Sequence, residues 1–254
     1  MKNMKLSLLL SGLMGLSLIV AQETPLVDAT PDKVEFAWDL HDVVVKASYP
    51  KMAVSAIRHG GFDFAKLLGM LLFDYTRYAC TGTVGSAQQL IIDIKTAVKN
   101  GGTGDTIQHT LKAYNPALAV AARKVGAELY TVNGVPAIIN ELDELGYTQR
   151  IASNIGSEEV KALAEKYTEL FAKFKDGKTV TYIEGVPSTK KPSPKYFEEY
   201  NATYNADRAK AIIFIDDQLK NINGAHQVEL FVPVKFNNAQ QLRADLKALG
   251  IPLR

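Results

Sequence analysis

The sequence predicts an α/β protein: a Rossmann-like parallel sheet with helices on both faces, plus an all-helical insertion. Three observations predict it. In the second half of the chain, short apolar runs alternate with amphipathic helical stretches, the pattern of strand–helix–strand units in a parallel sheet. A block near residues 50–130 shows helical periodicity without strands. Several apolar runs stop at acids or at Ser-Asn, as strands do when they deliver ligand-binding residues to one sheet edge.

The elements follow in order. Lys2 and Lys5 precede an apolar run from Leu6 to Val20 with only small interruptions. A basic start, a short apolar core and a small residue near Ala21 make residues 1–21 a signal peptide, with the mature chain starting near Gln22 and exported to a periplasm or outside the cell. The run is shorter than the ~20 residues of a spanning helix. Residues 24–32 read as an exposed leader. Val34-Glu35-Phe36-Ala37-Trp38 is a mostly apolar strand that delivers Asp39, and Val43-Val44-Val45 is again β-favouring. From residue 50 to 130 the chain turns helical. Phe64, Leu67, Leu68, Leu71, Leu72 and Tyr75 form a stripe at three- and four-residue steps. Residues 87–98, 106–114 and 116–129 are further helices. The core, residues 22–49 and 131–254, resumes with a helix over 136–145 that stops at Gly146. A strand over 148–152 ends at Ser153-Asn154, and a single helix covers 157–171, with Glu158 and Glu159 at its positive end. A strand over 179–183, a helix over 194–204, a strand over 211–215 ending at Asp216-Asp217, a strand over 227–232 and a helix over 239–249 complete the chain.

Composition narrows the function. Removing residues 1–21 takes away two lysines and leaves 27 basic and 27 acidic residues, so no broad positive field is available to hold nucleic acid. The one cysteine, Cys80, excludes a disulfide framework and a Cys-rich zinc site. His59, His109 and His226 lack metal-ligand spacing and read as surface or insertion residues. Gly82–Gly85 and Gly101–Gly104 lack the lysine of a phosphate-binding loop and read as turns. Asn201-Ala202-Thr203 matches a glycosylation acceptor, a pattern common by chance.

Asp39, Ser153-Asn154 and Asp216-Asp217 lie far apart in sequence, yet their strand-end positions bring them to one edge. Lys190 and Lys191 precede Pro192-Ser193-Pro194 and the next helix. Carboxylates, a hydroxyl and a lysine suit Mg²⁺ and a phosphoryl group, because Mg²⁺ takes oxygen ligands and a lysine offsets phosphate charge.

These residues carry a resemblance. Trp38-Asp39-Leu40-His41-Asp42-Val43-Val44 resembles the first motif of the haloacid dehalogenase-like hydrolase superfamily. Leu145-Gly146-Tyr147 with Ile151-Ala152-Ser153-Asn154 resembles the second, and Lys191-Pro192-Ser193-Pro194 the lysine motif. Ile213-Phe214-Ile215-Asp216-Asp217 with Asn221-Ile222-Asn223-Gly224-Ala225 resembles the fourth. The order is the family's, and 114 residues separate Asp39 from Ser153, room for a helical cap. The resemblance implies a hydrolase, in the first instance a Mg²⁺-dependent phosphatase acting on a small phosphorylated molecule. Asp39 would be the nucleophile, Ser153 and Asn154 would bind the substrate, and Lys191 would hold nucleophile and phosphate together. Asp39, Asp217 and the backbone carbonyl of His41 would ligate Mg²⁺, with Asp216 acting directly or through water. His41 stands where the family's phosphatases carry a second Asp, so the acid–base role falls to an imidazole. That departure keeps two alternatives open: a non-catalytic binding member, and a dehalogenase, a branch that also lacks the second Asp, uses Ser-Asn and does not require Mg²⁺.

Overall fold

The computed structural model describes residues 28–47, 104–126, 128–175 and 190–254, with 51, 52, 54–58, 90, 93, 94 and 96 between them. The expected signal peptide, the stripe from Phe64 to Tyr75 and the expected strand over 179–183 lie outside the described residues.

Four parallel strands form the central sheet. They are β1 (Val34–Trp38), β4 (Thr148–Ile151), β5 (Ala211–Asp216) and β6 (Phe231–Lys235), in the spatial order β4-β1-β5-β6. After β1 the chain goes to β4 on one side, then crosses to β5 on the other. The gap between β1 and β5 is therefore the point where the strand order reverses, which is where open α/β sheets bind ligands.

The apolar runs form strands because both faces are covered. Phe36, Trp38, Ile213, Ile215 and Val234 belong to one buried cluster. It is completed by α3 (Val135–Glu144), α4 (Ser157–Lys166), α5 (Thr168–Phe171) and α8 (Ala239–Ala248), through residues such as Ile138, Leu163, Phe171 and Leu242. Ala37, Ile212 and Phe214 point the other way, against α6 (Pro194–Tyr204) and α7 (Leu219–Ala225), where Phe197, Tyr200 and Ile222 pack. Alternate residues of one strand thus enter opposite cores, as the two-residue period requires. The expected stop at Gly146 holds: its φ of 84° suits glycine, and its N–H donates to Asp143.

Two boundaries and one element differ from expectation. The last strand is Phe231–Lys235 rather than 227–232. It contains Pro233, which a strand accepts when one side carries no ladder, and β6 has a strand partner only in β5 among the described residues. The helix expected over 157–171 breaks at Tyr167, whose φ and ψ of −120° and 50° divide α4 from α5. The short α7 escapes a sequence reading because Asn221, Asn223 and Gly224 are weak helix formers; packing of Ile222 and Ala225 holds it.

The helical block is tied to the core by a two-stranded antiparallel ribbon. The chain leaves through β2 (Val45–Lys46) and returns through β3 (Tyr130–Thr131), with Val45 opposite Thr131. Between them lie α1 (Gly104–Tyr114) and α2 (Pro116–Gly126). Ala56, Leu90, Ile94, Leu111, Ala121 and Val125 form a hydrophobic cluster of their own, separate from both sheet cores. Leu90 and Ile94 are helical and buried, as the predicted face over 87–98 requires.

Candidate active site

The C-terminal ends of β1, β4 and β5 carry the polar residues. Hydrogen bonds extend the sheet just past the strands: the Asp39 N–H donates to Ile215 at 2.9 Å, and the Ala152 N–H to Trp38 at 2.7 Å. Asp39, Ser153 and Asp216 are therefore held at one edge and buried. Lys191 arrives from the segment before α6, and its Nζ lies 2.9 Å from Asp39 Oδ1 and 2.6 Å from Asp216 Oδ2. Burial pulls a lysine's pKa down, but the two carboxylates outweigh it here and hold Lys191 above the ordinary value and charged.

The three aspartates differ. Asp216 is well partnered: Oδ1 accepts from the Gln218 N–H at 2.7 Å and from Asn221 Nδ2 at 3.0 Å, while Oδ2 accepts from Lys191 and from Asn221 Nδ2 at 2.9 Å. Burial nevertheless raises its pKa, with Asp39 adding to the shift against Lys191. Asp217 is open: its Oδ1 is buried and has no hydrogen-bond partner. Burial raises its pKa, and the charges of Asp216, Asp39 and Asp42 raise it further. Asp39, Asp216 and Asp217 each offer an oxygen, and these oxygens lie within 4.8 Å of one another. Among the described residues three acids face one lysine, so the cluster carries excess negative charge in a low-dielectric setting. An all-oxygen donor set with an orphaned carboxylate oxygen fits a divalent cation such as Mg²⁺.

The remaining expected residues fall as follows. Ser153 is buried, and its Oγ accepts from the Ile155 N–H at 3.4 Å. Asn154 turns towards the lysine segment: its Nδ2 donates to the Lys191 carbonyl at 3.0 Å, and its Oδ1 accepts from the Lys191 N–H at 3.1 Å. Its amide is thus engaged in fixing the backbone that carries Lys191. His41 is exposed, and its side chain is not one of the three clustered ligands. The chain beyond it is a turn: Asp42 has φ 59°, and the Leu40 carbonyl accepts from the N–H groups of Val44 and Val45 at 3.0 and 2.8 Å. Asp42 therefore does not alternate away as in a strand, and its charge is felt at Asp217.

Two residues of this end had no role assigned from sequence. Asn221 bridges both oxygens of Asp216. Gly224 packs so closely that a Cβ there would lie 2.1 Å from the Pro192 carbonyl oxygen. The signal was in the fourth motif, where both occur, but their targets are set by tertiary contact. The glycosylation match is corrected: Asn201 is buried in α6, and its Nδ2 donates to the Glu229 carbonyl at 3.1 Å.

Comparison with known proteins agrees with this geometry. A family model described as haloacid dehalogenase-like hydrolase matches residues 32–229. The chain belongs to that family. It is a hydrolase by membership, and hydrolases of this family generally use Mg²⁺. No curated protein matches the sequence. Among solved structures, the L-2-haloacid dehalogenase from Xanthobacter autotrophicus is similar at 14% identity and a TM-score of 0.51, over 85% of this chain and 82% of that one. The same enzyme with chloropropionic acid covalently bound gives 14% identity and 0.50, over 86% and 84%. The L-2-haloacid dehalogenase RSc1362 gives 15% identity and 0.50, over 81% and 87%. At these identities the likeness is one of fold.

Proposed function

We propose that this hydrolase is a Mg²⁺-assisted phosphatase that cleaves a phosphomonoester of a small molecule through Asp39. The observation that carries the reading is the unmet Oδ1 of Asp217 beside Asp39 and Asp216. Hydrolysis of a carbon–halogen bond has no use for such excess negative charge, whereas a phosphate dianion cannot approach it unaided.

Asp39, Asp216, Asp217 and the backbone carbonyl of His41 would hold the ion, which when bound offsets phosphate charge and steadies the transferring group. Lys191 pairs with Asp39 and orients it, and its charge also faces the incoming phosphoryl group. An Asp39 oxygen attacks phosphorus as the ester oxygen departs with a proton from His41, leaving an aspartyl-phosphate. Neutral His41 then takes a proton from water, whose oxygen attacks phosphorus, and inorganic phosphate leaves with Asp39 restored. The Ser153 hydroxyl donates to a phosphoryl oxygen. Asn154 acts by fixing the Lys191 backbone. The helices between β2 and β3 serve as the cap that excludes water and selects the substrate. Residues 1–21 serve as the export signal, checked by N-terminal sequencing of exported protein, which should start near Gln22.

The test is hydrolysis of p-nitrophenyl phosphate with Mg²⁺ or with a chelator. Turnover is expected only with Mg²⁺, with a loss of about 10⁴-fold in Asp39→Asn. Activity that survives either change sinks the reading. A second reading, carbon–halogen hydrolysis, is favoured by the adjacent Ser153-Asn154 pair and by the dehalogenase neighbours. Chloride release from 2-chloropropionate in chelator would support it in place of phosphatase chemistry. Failure of both assays would leave a binding role.

A further inference from the structure

The helical insertion holds a second polar feature that the proposed chemistry does not use. A cavity of about 330 Å³ is lined by Lys51, Val54, Ser55, Arg58 and Glu128. Ser55 is 3% exposed and its Oγ has no hydrogen-bond partner, although helical serines ordinarily satisfy theirs on a nearby carbonyl. Lys51 and Arg58 are exposed, and neither makes an ion pair with a described residue. Glu128, the one acid among the described residues of the wall, has Lys166 Nζ at 4.0 Å. Among the described residues the wall therefore presents two cations without an ion pair, a hydroxyl without a hydrogen-bond partner and the apolar surface of Val54, with Glu128 faced by a lysine.

This place is separate from the aspartate cluster. Lys166 is the last residue of α4, whose first residue, Ser157, follows closely on Ser153. A helix of ten residues rises ~15 Å, so Glu128 and its neighbours sit at the far end of α4 from the strand edge.

We propose that this pocket is a second, anion-binding site, taking the phosphate, phosphonate or carboxylate group of a small organic molecule. Arg58 offers paired N–H donors that match such a group, Lys51 adds a point charge, and the Ser55 hydroxyl donates a further hydrogen bond. Val54 lies against the carbon frame of the ligand.

The test is calorimetric titration of the protein with phenylphosphonate, which cannot be hydrolysed, at low salt and with a chelator present. Without a bound cation the aspartate cluster repels a dianion, so binding reports the second pocket. One equivalent is expected to bind, at least tenfold more weakly in Arg58→Gln and about threefold to tenfold more weakly in Ser55→Ala. Arg58 is exposed, so Arg58→Gln should keep the parent melting temperature. Ser153→Ala should leave the affinity unchanged. Inorganic phosphate should compete, because the charged head is what Arg58 and Lys51 hold. Absence of binding, indifference to Arg58→Gln, loss in Ser153→Ala or failure of phosphate to compete would each overturn the proposal.

Discussion

Strand β1 carries a buried acid near each end, and the two ends were solved differently. Near its start, Glu35 accepts from the Tyr200 hydroxyl at 3.1 Å and lies 3.7 Å from Arg150 Nε. The Arg150 guanidinium also stacks 4.5 Å from the Tyr204 ring centre. One acid meets one base there, and the charge closes. Just past its other end, Asp39 shares Lys191 with Asp216 while Asp217 looks on, and the charge does not close. Burial raises the pKa of Glu35 against the pull of Arg150, and raises those of Asp216 and Asp217 too. Raised carboxyl pKa values therefore do not separate structure from function here. The unbalanced charge count does, because it leaves room for an incoming cation.

The largest expected effect comes from removing the one lysine of the open end. Lys191→Met strands Asp39 and Asp216 without a cation and should cost roughly 3–5 kcal/mol, as breaking buried ion pairs does. Calorimetry should show the melting temperature falling by about 10 °C at pH 7, with turnover lost. The sign with pH is defined. Asp216 already has a raised pKa, and losing Lys191 raises it further. The deficit is full above that value and shrinks as the acids protonate on the way down to their ordinary range. A deficit that stayed constant to about pH 4 would count against the charge explanation.

At the closed end, Arg150→Met should cost about 3 kcal/mol in stability and leave kcat within about twofold in the same phosphatase assay. A large fall in kcat at unchanged substrate affinity would join the two ends and break the comparison.

Loosening the Lys191 segment should come next. Asn154→Ala leaves the N–H and carbonyl of Lys191 without their side-chain partner, and Gly224→Ala drives a methyl group into Pro192. Each should lower kcat about tenfold, the scale of one misplaced charge-bearing group, with a smaller change in KM. A KM effect alone would point instead to Asn154 touching substrate.

The smallest effect has the opposite sign. Asp217→Asn should stabilise the protein in chelator by about 1 kcal/mol at pH 7, because function keeps a costly acid there. Ionising Asp217 costs stability above its raised folded value, and that cost disappears as pH falls through the ordinary value near 3.8. The advantage should therefore vanish at about pH 4. The same variant should lose any gain in melting temperature on adding Mg²⁺.

Much of this was legible in the chain. The runs 34–38, 148–152 and 211–215 read as strands because burial on both faces demands apolar or β-favouring residues, and each leads into its polar residue; the strands observed are 34–38, 148–151 and 211–216. The edge strand was misplaced because Pro233 reads as a breaker, and α7 was missed because its asparagines and glycine read as a turn. The sequence alone determined the α/β class, the helical insertion and the acids, hydroxyl and lysine gathered at one sheet edge, since strand period and strand ends are local properties. Only the tertiary structure decided that Asp216 binds Lys191 and Asn221, that Asp217 Oδ1 is left unmet, and that Asn154 faces the Lys191 backbone. Those outcomes depend on burial and on partners up to 177 residues away, as for Asp39 and Asp216. A local pattern carries no information about which buried charge finds its counterpart.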